Sequence, residues 1–253
     1  MTSKEGSGDV FQGYSGSALR LVDGRVEKVS SCAAFVEDRS RQTALQQLSN
    51  RTRLLPSIVS VEGATMRMDF IRGSEGLTEH NAAQVGAALR SLHELRGFPY
   101  PAITGVDWLI SLANDSLAQA KSPFRVSEDL QEHYPPDALI LCEPQFLQTE
   151  AGQIVFIDLD EMGQGSRYQD LGFVAYLTMV NQTPELLDLF LSGYQSSSLE
   201  LNAWRIRQMA GLISLAYASF ADTGKRLALG LQLMHDAARH LGQVGLHRVA
   251  ERA

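Results

Sequence analysis

Two residues carry the strongest chemical signals in the chain, Asp158 and Lys28. Asp158 stands just past the apolar run Ile154-Val155-Phe156-Ile157, and Leu159-Asp160 follow it. A carboxylate at the end of a buried strand is held rigidly by the backbone while its side chain reaches solvent, which suits a hard cation shared with phosphate oxygens. Lys28 lies on the return of an alternating pattern, Leu19-Arg20-Leu21-Val22, then Asp23-Gly24, then Arg25-Val26-Glu27-Lys28-Val29. Ahead of it runs the small-residue turn Gly13-Tyr14-Ser15-Gly16-Ser17. There Ser15, Gly16 and Ser17 can bring backbone amides against phosphate oxygens, and Lys28 can add a point charge to the same group. Gly-Ser turns also serve as plain hairpin connectors and strand lysines are commonly solvated, so the pair gains its weight from Asp158 downstream.

The elements that must position these residues follow from periodicity. Asp23-Gly24 between alternating runs is a hairpin signal. Residues 58–61 and 65–71 give two further strands across a Glu62-Gly63 turn, and 37–55 reads as a helix with Leu45 and Leu48 on one side. Around Asp158 the order is an apolar strand at 138–142, a polar loop, a turn at Ala151-Gly152 and the strand 154–157. After residue 74 the pattern turns helical. Residues 82–95 place Val85, Ala88, Leu89, Leu92 and Leu95 on one stripe, and 107–120 are expected to turn Trp108, Leu109, Leu112 and Leu117 inward. Thr183-Pro184-Glu185 opens another helix, with 199–220 and 225–241 beyond it, the last with Leu227, Leu231, Met234, Ala238 and Leu241 in register. His93 reads as a core histidine, and Glu128, Asp129, Glu132 and His133 as a solvated face.

The block Ile157-Asp158-Leu159-Asp160, with Gly163, Gly165 and Asp170-Leu171-Gly172, resembles the aminoglycoside phosphotransferase and choline kinase family, which shares the protein-kinase-like fold. In that family a loop of the type His-Gly-Asp-x-His-x-x-Asn, with a catalytic Asp and a metal-binding Asn, precedes a hairpin and an Ile-Asp motif. The resemblance covers about 11–241, but the loop itself departs: Leu141-Cys142-Glu143-Pro144-Gln145-Phe146-Leu147-Gln148 holds neither His nor Asp. Aligned by the family's Asp-to-Asn spacing, Glu143 takes the base position and Gln148 the metal position. Aligned backward from Asp158, Gln145 takes the metal position and Ile140 the base position, and Glu143 acts only if it reaches in from the loop.

The resemblance implies an α+β, two-lobed architecture: a tail at 1–8 without order, an antiparallel-sheet, nucleotide-binding lobe at 9–73, and a mainly helical lobe at 74–253 carrying the loop and the metal-binding hairpin. It makes Lys28 the nucleotide-binding lysine and Ile71-Arg72-Gly73 the hinge beside the base. A helical Glu should pair with the lysine, yet the body of 37–55 has none, leaving Glu37 or Asp38. Asp158 becomes the principal metal ligand. The implied cofactors are ATP or GTP with magnesium, and the implied partner is a small hydroxylated substrate.

Composition bounds the rest. The chain has 253 residues, 44% of them hydrophobic, enough for one large domain or two modest lobes. A net charge of −7 counts against a nucleic-acid partner. No apolar run approaches the roughly 20 residues of a membrane span, and Cys32 and Cys142 lack metal-ligand spacing, so a cytoplasmic protein is expected. Two readings stand, a kinase of a small hydroxylated molecule and a pseudokinase that binds nucleotide or a partner without transfer. A third, a two-lobed hydrolase using Asp158 and Asp160 as metal ligands, lacks a second set of ligands. Oligomeric state is not written in these patterns.

Overall fold

A computed structural model describes residues 10–12, 17–96, 105–195, 200–220, 223–242 and 245–248. In chain order the elements are β1 (Val10–Gln12), β2 (Ala18–Val22), β3 (Arg25–Val29), α1 (Ala33–Glu37), α2 (Arg39–Ser49), β4 (Ile58–Glu62), β5 (Thr65–Asp69) and β6 (Gly73–Ser74). They continue with α3 (Ala82–His93), α4 (Val106–Gln119), β7 (Phe124–Val126), β8 (Ala138–Ile140), β9 (Gln145–Thr149) and β10 (Ile154–Ile157). Then come β11 (Gly163–Gly165), α5 (Arg167–Val180), α6 (Pro184–Tyr194), α7 (Ala203–Ala216), α8 (Thr223–Leu241) and β12 (Leu246–Arg248). Among the described residues no helix is long and apolar enough to cross a membrane.

The chain divides into two compact units. The first comprises 1–76, 96–101 and 145–162, the second 77–95, 102–144 and 163–253. The sheet-to-helix change after residue 73 coincides with this division, but β9 and β10 cluster with the first unit, whereas the expectation counted them with the helical part. The reason is bonding: β9 pairs with β6, Phe156 donates its amide to the Leu54 carbonyl at 2.7 Å, and Lys28 ion-pairs with carboxylates just past β10.

In the first unit a five-stranded antiparallel sheet runs in the order β1-β2-β3-β5-β4, so β1, β2 and β3 share one sheet with β5 as the hairpin signals predict. Asp23 and Gly24 both take positive φ, 51° and 74°, the conformation of a two-residue turn between twisted strands. The expected helix over 37–55 is α2 at Arg39–Ser49, preceded by the short α1 that ends at Glu37. The break comes at Asp38, whose extended backbone lets its carboxylate cap α2 by accepting from the Ser40 and Arg41 amides. Leu45 and Leu48 bury completely, joined by Phe35, Met66 and Phe156.

The second unit is a helical assembly around α3, α5, α6 and α7, with the short pairs β8–β11 and β7–β12. Close approach of α3 and α6 depends on two glycines. A Cβ on Gly86 would lie 2.0 Å from the Phe190 carbonyl oxygen, and one on Gly193 would lie 1.8 Å from that of Ala83. Trp108 corrects the expectation: it is 43% exposed, because the inward stripe of α4 runs through Leu109, Ile110, Ala113 and Leu117. In α8 the buried line is Gly230, Leu233, Met234 and Ala237, turned from the expected Leu227, Leu231, Ala238 and Leu241 so that Gly230 meets Leu215 of α7.

Candidate functional site

Strand β3 buries two consecutive charged side chains, which a strand allows because neighbours point to opposite faces. Glu27 is neutralised on one face by Arg67 of β5 and by Arg20 of β2, its cross-strand partners. On the other face Lys28, 5% exposed, donates through Nζ to both Asp158 Oδ1 and Asp160 Oδ1. Burial by itself would depress the lysine pKa. The Asp160 and then the Asp158 charges outweigh it and hold the pKa above its ordinary value, so the ammonium stays charged.

The two carboxylates are not equivalent. The Asp160 side chain is 6% exposed and is held on the lysine, while that of Asp158 is 38% exposed and turns its second oxygen outward. Asp158 sits at φ 62°, a left-handed conformation that aspartate tolerates better than most side chains. That turn ends β10 and lets residues 158 and 160 converge on one cation. Gln145, opposite Ile157 at the start of β9, donates from Nε2 to Asp158 Oδ2 at 3.1 Å. Asp160 completes this cluster, and sequence reasoning used it only in the hydrolase alternative; the available signal was its spacing of two from Asp158.

Gln148 is not brought to Asp158. It pairs with Ile154 and Ser74, three strand residues or about 10 Å along β9 from Gln145. Lys28 also finds its partners elsewhere than expected: Asp38 is committed to capping α2 and Glu37 is exposed at the end of α1. Ser15 and Gly16 lie outside the described residues, whereas Ser17 is buried and accepts from the Ser31 amide at 3.3 Å. Along β9 from Gln145, a cavity of about 650 Å³ is lined by residues 70–75 and 147–150, so the expected hinge does border a cavity.

Glu143 belongs to the second unit. It follows the β8–β11 pair and a backbone kink at Cys142, φ 70°. The segment is pinned just before it, where the Leu141 amide donates to Asp170 Oδ2 at 2.9 Å. Asp170 is completely buried on α5 and also meets His93 Nε2 at 3.0 Å, while His93 Nδ1 meets the Tyr194 hydroxyl at 2.6 Å. A carboxylate oxygen only accepts, so the proton of the first contact is on Nε2. His93 is therefore a core residue with both nitrogens engaged, as the sequence suggested. Glu143 is half-buried and adds its charge near Tyr176, whose pKa is raised chiefly by burial and further by Glu143, against the lowering effect of Arg226. Phe173, Tyr176 and Tyr217 form an aromatic cluster there, with the Arg226 guanidinium 5.8 Å from the Tyr176 ring centre.

Among the described residues no group of three or more His, Cys, Asp or Glu side chains is arranged to enclose a metal ion. Magnesium accepts single carboxylate oxygens when phosphate and water complete its shell, and Asp158 Oδ2, which Lys28 does not take, is an oxygen of that type; the Gln145 amide beside it faces it through Nε2 and presents no oxygen to it.

No family profile matches the chain, and no curated protein matches it in sequence. Solved structures do. A choline/ethanolamine kinase family protein from Mesorhizobium loti is similar with a TM-score of 0.64 at 16% identity, covering 93% of this chain and 92% of that one. Choline kinase from Cryptosporidium parvum is similar with a TM-score of 0.63 at 14% identity, covering 96% and 93%. A ternary complex of streptomycin, ATP and APH(2″)-IIa is similar with a TM-score of 0.58 at 14% identity, covering 92% and 93%. What this chain shares with them is the fold, the α+β protein-kinase-like fold that the Asp158 motif implied.

Proposed function

We propose that a chain with this fold and a Lys28–Asp158–Asp160 cluster is a phosphotransferase that moves the terminal phosphoryl group of ATP or GTP onto a hydroxyl of a small molecule. The observation that carries this reading is the buried lysine bracketed by two carboxylates, one of them with an oxygen turned outward beside Gln145. Two of the similar structures are a choline/ethanolamine kinase family protein and a choline kinase, and a third contains ATP with streptomycin, which supports the same class. Residues 9–73 with β9 and β10 then form the nucleotide-binding part, with the base in the cavity beside residues 70–75 and the phosphates at Lys28.

Transfer in this fold is mostly positioning and charge neutralisation. The acceptor oxygen bonds to the terminal phosphorus, the bond from that phosphorus to the bridging oxygen breaks, and the nucleoside diphosphate leaves. Lys28 holds donor phosphate oxygens. Asp158 with Gln145 would hold magnesium, which when bound neutralises charge on the phosphates. Glu143 accepts the acceptor's proton on its carboxylate. Its extra methylene, relative to an aspartate, displaces that carboxylate by about 1.5 Å, so turnover is slow.

One observation favours the pseudokinase reading, in which the chain binds nucleotide or a partner without transfer. With Gln145 rather than Gln148 beside Asp158, the base position falls on Ile140, which is fully buried. Parent and Glu143→Gln proteins incubated with labelled ATP and a panel of amino sugars, amino alcohols and nucleosides separate the readings. The kinase reading expects transfer by the parent and a loss of roughly a hundredfold in the variant at nearly unchanged nucleotide affinity. Equal, substrate-dependent transfer by both proteins removes Glu143 from the mechanism. Nucleotide binding without transfer by either supports the pseudokinase.

A further inference from the structure

Helix α2, whose body holds no glutamate, buries an arginine. Arg41 is 6% exposed, yet among the described residues its guanidinium has no hydrogen-bond or ion-pair partner, and its Nε is wholly enclosed. Its backbone amide is used by the Asp38 cap, but the side chain continues the inward stripe Arg41-Leu45-Leu48, whose leucines are fully buried. The charge acts on the same cluster as Lys28: the Glu161 carboxyl responds to Asp158 and Asp160, then to Lys28 and Arg41. Lys28 is already shared between two carboxylates. A buried guanidinium nitrogen without an acceptor is costly to the folded chain, and an anionic ligand at the remaining nitrogens would offset that cost.

We propose that Arg41 is a second phosphate-binding cation of this site, gripping the donor's phosphate chain from α2 beside Lys28. The planar guanidinium suits two phosphate oxygens at once, which the point charge of a lysine does not. The proposal rests on the phosphoryl-donor reading above and adds to it the group that holds the donor when Lys28 is engaged by carboxylates. A purely structural role, as counter-charge to Glu161, predicts the opposite stability effect on removal.

The test compares parent, Arg41→Met and Arg41→Lys by calorimetric titration with inorganic tripolyphosphate, ATP and AMP, with and without magnesium, alongside thermal melts of the unliganded proteins. Arg41→Met keeps the aliphatic stem, so its melting temperature should equal or exceed the parent's. Its affinity for tripolyphosphate and ATP should fall about tenfold or more, as loss of a charge-assisted contact does, with AMP much less affected and Arg41→Lys in between. Parent-like affinity of Arg41→Met for tripolyphosphate and ATP overturns the proposal. So does a lowered melting temperature with equal losses for AMP and ATP, which would mark a packing role. A parent that binds tripolyphosphate through Arg41 but neither ATP nor GTP leaves the anion site standing and removes the nucleotide reading instead.

Discussion

At the scale of single residues, the site turns on a division of labour between two aspartates. Asp160 is buried on Lys28 and, with Asp158, keeps it charged, while Asp158 Oδ2, which accepts from Gln145 and not from Lys28, is the oxygen proposed for a ligand. Asp158→Asn removes the charge while keeping the shape and the tolerance for positive φ. Because Asp160 still holds Lys28, the variant should fold with a melting temperature close to the parent's. ATP affinity measured with magnesium should drop to the value measured without it, since an amide is a poor substitute for a carboxylate on a hard cation. A variant that keeps the parent's magnesium-dependent gain in ATP affinity would show that Asp158 is not the ligand.

At the scale of the element, β3 delivers Lys28 only if its other face is held, and that face depends on Glu27. The Glu27 carboxyl pKa lies below its ordinary 4.5, first through the Arg67 hydrogen bond and then through Arg20. A carboxyl whose pKa is lower folded than unfolded adds stability that is complete above the unfolded value and is lost as pH falls through the folded one. Urea unfolding of parent and Glu27→Gln should therefore show the parent ahead by a constant margin from pH 7 down to about 5, and a margin that shrinks below 4.5. A margin that stays constant or widens in acid would assign the sheet's stability elsewhere. The two arginines remain in the variant facing a neutral amide, so the loss at neutral pH reports a broken ion triad rather than a cavity.

At the scale of the whole molecule, the chain carries 22 basic and 29 acidic residues, and the proposed donor site gathers two cations and three carboxylates, Lys28, Arg41, Asp158, Asp160 and Glu161. A ligand that binds only the folded chain must raise its melting temperature. At a hundred times its dissociation constant the gain is about 2.7 kcal/mol, or roughly 5 to 11 °C for a chain of this size. ATP or GTP with magnesium should produce such a shift in the parent protein. No shift with either nucleotide, at concentrations saturating for ordinary kinases, would discard the donor site and both readings built on nucleotide binding.

The sequence by itself determined the local elements and the fold class. Asp23-Gly24 and the alternation around it specified the β2–β3 hairpin, and the Ile-Asp-Leu-Asp run placed a carboxylate at the end of β10, because these signals lie within a few residues of one another. The tertiary structure decided everything that needs distant residues to meet. Lys28 joins carboxylates 130 and 132 positions away, a link that neither side chain's neighbours encode. Pairing of Gln145 with Ile157 sets Gln145, and not Gln148, beside Asp158, a proximity that spacing had left open. Asp38 and Arg41 lie three residues apart at the same helix start, and only their surroundings made one a cap and the other a buried cation with an unbonded Nε. Periodicity is a short-range property of the chain, whereas a binding site is a set of charges whose partners are fixed by packing.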